Sequence, residues 1–165
     1  MQQPLVLRAK EMGLRTICFA WEQGAVCRDV CDTFYPLSIT EKEAILDICR
    51  KEHIDGICTI ASDVAAPTVA YVAEQMGLTG NSYESSLKAH DKHRMREALV
   101  AAGVDCPGYR VLARGERPAV SGLELPLIVK PSDRSGSIGV QKISSLEELA
   151  PAVENAEQVS LAGEA

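Results

Sequence analysis

The apolar positions of this chain fall into short blocks that switch between helical and strand spacing. Leu5, Leu7, Ala9 and Met12 are interleaved with Arg8, Lys10 and Glu11 as far as Gly13, which predicts a helix over residues 4–13 stopped by a glycine. Residues 15–20 and 32–37 read as short strands. Thr40, with Glu43 three residues on, has the spacing of a capping box. The stripe Ala44, Ile45, Ile48 and Cys49 then carries a helix to about residue 52. Residues 55–60 predict a buried strand, and residues 64–76, closed by Gly77, a further helix. Strand and helix in alternation predict a parallel sheet wrapped by helices. The pattern opens on a helix where such a unit ordinarily opens on a strand, so the first strand is expected to be missing.

Near residue 80 the rhythm changes, and a boundary between two lobes, 1–80 and 81–165, is expected there. Asn81-Ser82-Tyr83-Glu84 opens a short helix by capping logic. A second helix is predicted from Lys92 to Ala102, stopped by Gly103, with Met95, Ala98, Leu99 and Ala102 as its inward stripe. Residues 109–112 read as a strand, 114–122 as loop, 125–130 as an apolar strand, 131–138 as a Ser/Gly-rich loop and 139–143 as another strand. Ser144 to Leu149 cap and start a final helix, which Pro151 is expected to perturb.

Composition narrows the class. The 165 residues are 46% apolar and 24% charged, which excludes a disordered, collagenous or membrane-embedded chain. Seventeen Lys and Arg against 23 Asp and Glu give a net charge of −6, which argues against broad nucleic-acid binding and leaves room for a locally basic pocket. No apolar run approaches the ~18–20 residues of a membrane span, and the N-terminus lacks a signal-peptide layout, so the expected location is cytoplasmic. Cys18 and Cys58 sit in apolar runs and are expected to act as small buried hydrophobes. Cys27-x3-Cys31 has no second pair, and His53, His90 and His93 show no ligand spacing, so free thiols and no metal site are expected.

Two segments carry candidate chemistry. Lys130-Pro131-Ser132-Asp133-Arg134-Ser135-Gly136-Ser137-Ile138-Gly139-Val140 places an ammonium at a strand end beside a loop of small residues, whose backbone amides can approach an anion closely. It is neither a Walker A loop nor a dinucleotide fingerprint. It fits a flap over nucleotide phosphates, or an ordinary exposed hairpin. Lys88-Ala89-His90-Asp91-Lys92-His93-Arg94-Met95-Arg96 concentrates four basic residues in an otherwise acidic chain. Lys92 lies three and seven positions before Met95 and Leu99, on the buried side of a helix N-terminus. That placement is costly without an anion, or else Lys92 snorkels at the lobe edge.

The order Asn81-Ser82-Tyr83-Glu84, Asp91-Lys92-x-x-Met95-Arg96, Gly103-Val104-x-x-Pro107, Leu125-Pro126-Leu127-Ile128-Val129-Lys130-Pro131, Ser135-Gly136-Ser137-Ile138-Gly139-Val140 resembles the ATP-grasp superfamily. The resemblance is to the branch of the carbamoyl-phosphate synthase large subunit and biotin carboxylase. Residues 60–70 resemble the Rossmann-like lobe that precedes the grasp domain there. This implies an α/β fold: a Rossmann-like lobe over 1–80, its first strand missing, and the first part of an ATP-grasp domain over 81–165. By the same resemblance Lys92 and Lys130 contact the phosphates of ATP, and Ser135, Gly136, Ser137 and Gly139 form the flap. The implied chemistry joins a small carboxylate to an amine or ammonia through an acyl phosphate, with Mg²⁺ on the phosphates. The family's adenine-hinge glutamate and its Glu and Asn magnesium ligands follow the helix with which this chain ends. The resemblance therefore implies a chain cut at both ends that binds ATP weakly and has no activity alone. A non-catalytic nucleotide-binding or interaction module, and one half of a split ligase completed by a second polypeptide, are the alternatives. A homodimer is a further partner to consider.

Overall fold

The computed structural model describes residues 2–161, which divide into two compact units, Met1–Ser86 and Leu87–Ala165. In the first, α1 (Gln3–Glu11) carries Pro4 in its first turn and ends before Gly13, whose φ of 75° is the left-handed geometry that a glycine adopts at low cost. Strands β1 (Ile17–Ala20) and β2 (Thr33–Pro36) pair in parallel, from Ile17 opposite Thr33 to Ala20 opposite Pro36. Thr16 fixes the start of that register. Its carbonyl accepts from the Asp32 and Thr33 amides at 3.0 and 3.1 Å, and its amide and hydroxyl both donate to the Asp32 carboxylate at 2.8 Å. Lys10 closes on the same carboxylate at 2.9 Å. Together these donors hold the Asp32 carboxyl far below the ordinary carboxylate range, the Lys10 contact contributing most.

Helices α2 (Lys42–Lys51) and α3 (Ala66–Met76) supply the core of this unit: Ile45, Leu46 and Cys49 pack against Val72, with Phe19, Leu37, Ile54 and Ile57 around them. Full burial of each large aliphatic side chain there is worth about 1.5–3 kcal/mol. The predicted capping box at Thr40 does not form. The cap position is Glu41, without a side-chain bond, and the Thr40 hydroxyl is 2.9 Å from the Ser38 hydroxyl instead.

Residues 55–60 are not a strand. Ile57 turns to the core, but Cys58 and Ile60 are exposed and the segment joins no sheet. Its one strand-like contact comes from a side chain. The Gln2 amide donates to the Ile60 carbonyl at 2.5 Å and accepts from the Ile60 amide at 3.2 Å, satisfying both backbone groups as a neighbouring strand would. Cys58 is thus no buried hydrophobe, and Cys18 is only half-buried.

Helix α4 (Tyr83–His90) runs across the division between the units and is followed by α5 (Lys92–Ala101). Met95, Ala98 and Leu99 of α5 are half-buried as the stripe predicts, while Ala102 lies outside the helix and is exposed. Strands β3 (Leu127–Val129) and β4 (Gln141–Ile143) form an antiparallel pair, Leu127 opposite Ile143 and Val129 opposite Gln141. One 3₁₀ turn at Leu146–Glu148, capped reciprocally by Ser145 and Glu148, leads into α6 (Leu149–Val159). Pro151 does not perturb α6: it falls in the first turn, where an amide has no helical acceptor to lose. Leu149, Ala152, Val153 and Ala156 are the buried face of α6, and the first three pack with Leu112 and Ile143. Residues 109–112 are irregular rather than a strand; Leu112 alone anchors them, 7% exposed. Gly139 lies beneath α6. A Cβ there would stand 2.5 Å from Val159 Cγ2 and 2.9 Å from Pro131 Cγ, whereas one at Gly136 would meet nothing within 4 Å.

Two outcomes follow. Gly139→Ala combines a clash with a left-handed φ of 71° and should cost ~2–4 kcal/mol in urea unfolding, against ~1–2 kcal/mol for Gly136→Ala. Equal losses would show that Gly139 is not a packing glycine. Asp32→Asn should lower the thermal midpoint at pH 7, and the gap from wild type should close as pH falls below ~4. The sign follows from the depressed native value: the unfolded carboxyl protonates first, so the native state loses its advantage in acid. A gap constant from pH 7 to pH 2 would contradict this.

Candidate functional site

The second unit brings its basic residues together from two elements. Asp91, in extended geometry, caps α5 by accepting from the Arg94 amide at 2.9 Å. Four-residue spacing then places Lys92 and Arg96 on one face of α5, both half-buried, while Arg94 is exposed. Lys130 emerges from the end of β3. The chain leaves it through Pro131, Ser132 and Asp133, all buried, before surfacing at Gly136, Ser137 and Ile138.

Lys92 is fastened to this loop. Its backbone amide donates to the Ser132 carbonyl at 2.9 Å, and its ammonium donates to the carbonyls of Ser132 at 3.3 Å and Arg134 at 2.5 Å. The buried-side lysine read from helix spacing is therefore present, but neutral carbonyls rather than an anion share its cost. Lys130 has a different environment. Burial lowers its pKa, and the Arg96 and Lys92 charges lower it further, with no carboxylate opposing them. Three cations thus lie in one neighbourhood without a compensating anion.

Residues 135–139 supply amide donors beside them. Gly136, Ser137 and Gly139 all have positive φ, 64°, 60° and 71°. Two turn bonds, Ile138 to Ser135 and Val140 to Ser137 at 3.3 Å, hold the shape. The Gly136, Ser137 and Gly139 amides have no acceptor among the described residues. Arg134 Nε is buried without a hydrogen-bond partner, another donor without an acceptor. These groups fit a polyphosphate. Magnesium has no counterpart: no group of three or more His, Cys, Asp or Glu among the described residues could hold a metal ion, so no step is assigned to one.

Arg96 and Arg134 were not assigned to phosphate from the sequence. Arg96 could have been, since its spacing from Lys92 dictates a shared face; the burial of Arg134 Nε has no sequence signal. His93 pairs with Glu97 at 3.2 Å and tilts against Tyr109, while His90 Nδ1 is buried without a partner. A separate concavity of about 490 Å³ lies within the first unit, lined by residues such as Ile57, Cys58, Val69 and Ser86 and by no charged side chain. No helix among the described residues is long and apolar enough to cross a membrane.

Residues 99–161 match the family model of the D-ala D-ala ligase C-terminus. The chain is 39% identical over 91 residues to the D-alanine–D-alanine ligase of Geobacter sulfurreducens, an alignment covering 53% of this chain and 29% of that protein. Among solved structures it is similar to the L-amino acid ligase of Bacillus licheniformis, with a TM-score of 0.73 and 24% identity over 93% of this chain and 39% of that one. It is also similar to the biotin carboxylase domain of 2-oxoglutarate carboxylase from Hydrogenobacter thermophilus, solved with magnesium ADP and bicarbonate. There the TM-score is 0.70, with 20% identity over 98% of this chain and 40% of that one. At these identities the structural likenesses speak for the fold, and the chain spans less than a third of the length of the curated relatives it matches. The matched segment and the shared fold together show that the chain belongs to the ATP-grasp superfamily and carries part of an ATP-grasp domain.

Proposed function

We propose that this chain supplies the phosphate-binding part of an ATP-dependent ligase that joins a carboxylate to an amine. One observation carries the reading: Lys92, Arg96 and Lys130 are gathered without a carboxylate beside a loop whose Gly136, Ser137 and Gly139 amides are free. In this reading residues 1–80 are the Rossmann-like lobe before the grasp domain, and residues 81–165 begin the grasp domain itself. Lys92 and Lys130 neutralise the β- and γ-phosphates, and Ser135 to Gly139 close over them. The γ-phosphoryl group passes from ATP to a substrate carboxylate, releasing ADP; the amine then attacks the acyl carbon and phosphate leaves with the C–O bond electrons. The cations and amides hold charge already present on the phosphates and so lower the cost of moving it.

The names of the similar proteins, D-alanine–D-alanine ligase, alanine–anticapsin ligase and L-amino acid ligase, support an amino acid as the carboxylate substrate. The 165 residues make up a minor share of such proteins, so weak ATP binding without turnover is the expectation for this chain alone. A longer chain, a second polypeptide or a second copy would complete the site.

Titration of the chain with ATP tests this. A charge-assisted hydrogen bond is worth about 1.5–3 kcal/mol, so Lys130→Ala should weaken binding by roughly 10–100-fold. Binding should also weaken steadily with added salt. Unchanged affinity in Lys130→Ala would remove the proposal's main support.

A further inference from the structure

We propose that Lys92 is a latch, a positioning residue that holds the glycine-rich loop in place before nucleotide arrives and passes phosphate binding on to that loop. The inference rests on the phosphate-binding reading above and adds how the site is regulated. An ammonium has three N–H donors. Lys92 directs two of them to the Ser132 and Arg134 carbonyls, while its backbone amide takes the Ser132 carbonyl as well. The first residue of α5 is thereby tied at three points to the chain that leads into residues 135–139. Both acceptors are neutral, so the positive charge of Lys92 is undiminished and one N–H is left over for a phosphate oxygen.

A lysine that only reached for phosphate from solvent would leave the loop unordered without ligand. Lys92 instead can bind phosphate while still attached to the loop, and each phosphate contact at its ammonium then restrains Ser132, Arg134 and the turn beyond them. Lys130 makes no hydrogen bond to the loop among the described residues, so the two lysines divide the work. Lys130 answers to the ligand alone, and Lys92 to both ligand and loop.

Hydrogen exchange of the whole chain tests this at the Ile138 and Val140 amides, which close the two turns. Without nucleotide, Lys92→Met should speed exchange at both by about tenfold and leave α6 unchanged. Arg94→Met, which removes an exposed cation from the same helix, should change neither. Wild-type exchange rates at Ile138 and Val140 in Lys92→Met, or equal acceleration through α6, would overturn the latch. A second measurement needs no substitution: without nucleotide, NMR should detect coupling across a hydrogen bond from Lys92 Nζ to the carbonyl carbon of Ser132 or Arg134. Failure to see it while the Lys92 ammonium is observed would count equally against the proposal. Adding ATP should slow loop exchange further in wild type but not in Lys92→Met, even with nucleotide raised to offset weaker affinity. Full slowing in Lys92→Met would show that Lys92 transmits nothing. No slowing in wild type would instead break the phosphate-binding reading, while the nucleotide-free result still decides whether Lys92 holds the loop.

Discussion

The second unit is organised around an electrostatic cost. Lys92, Arg96 and Lys130 repel one another, and the lowered pKa of Lys130 records that repulsion together with partial burial. Such a cluster persists only if its scaffold is over-determined. The β3–β4 pairing fixes Lys130, and α6 packs Leu149, Ala152 and Val153 against Ile143 and Leu112 around that hairpin. The Ser132 carbonyl then ties α5 to the chain leaving β3, so the two sources of positive charge cannot drift apart. An anion arriving there would relieve repulsion that packing already sustains. That is pre-organisation in the useful sense, because the ordering cost is met before the ligand binds.

The first unit depends on a different constraint, the satisfaction of backbone polar groups. Asp32 is its clearest case: one carboxylate takes the Thr16 amide, the Thr16 hydroxyl and the Lys10 ammonium, and so starts the β1–β2 register. Gln2 does similar work at Ile60, where side-chain amide and backbone amide exchange hydrogen bonds across 58 positions of sequence. Both devices use a polar side chain where a longer sheet would use another strand.

These devices explain what could be read from the sequence. The helices were legible to within a few residues, because a 3.6-residue stripe and a following glycine are both local signals, as Gly13, Gly77 and Gly103 show. The strands at 55–60 and 109–112 were misread for a common reason. Alternating Ile57 or an isolated Leu112 reports which side is buried, and burial does not supply a hydrogen-bonding neighbour. The Thr40 cap failed similarly, since Ser38 competes for its hydroxyl and only tertiary position decides between them.

At the candidate site the residue types were legible and their division of labour was not. Lys92 and Lys130 look equivalent as lysines before small-residue segments, yet one is bonded to loop carbonyls and the other is depressed by burial and like charge. The loop glycines divide in the same way. Gly136 has open space around its Cα, as a ligand-facing position requires, whereas Gly139 is shaped by Val159 and Pro131. A glycine that allows a phosphate to approach and a glycine that allows a helix to approach are identical in a motif. This bears on the match of residues 99–161 to the family model. Part of that likeness reports the chemistry at Lys130 and Gly136, and part reports how α6 packs over the hairpin. Retained residue identity in this segment therefore supports the fold and the phosphate site by separate physical routes, and only the first of these is independent of any ligand.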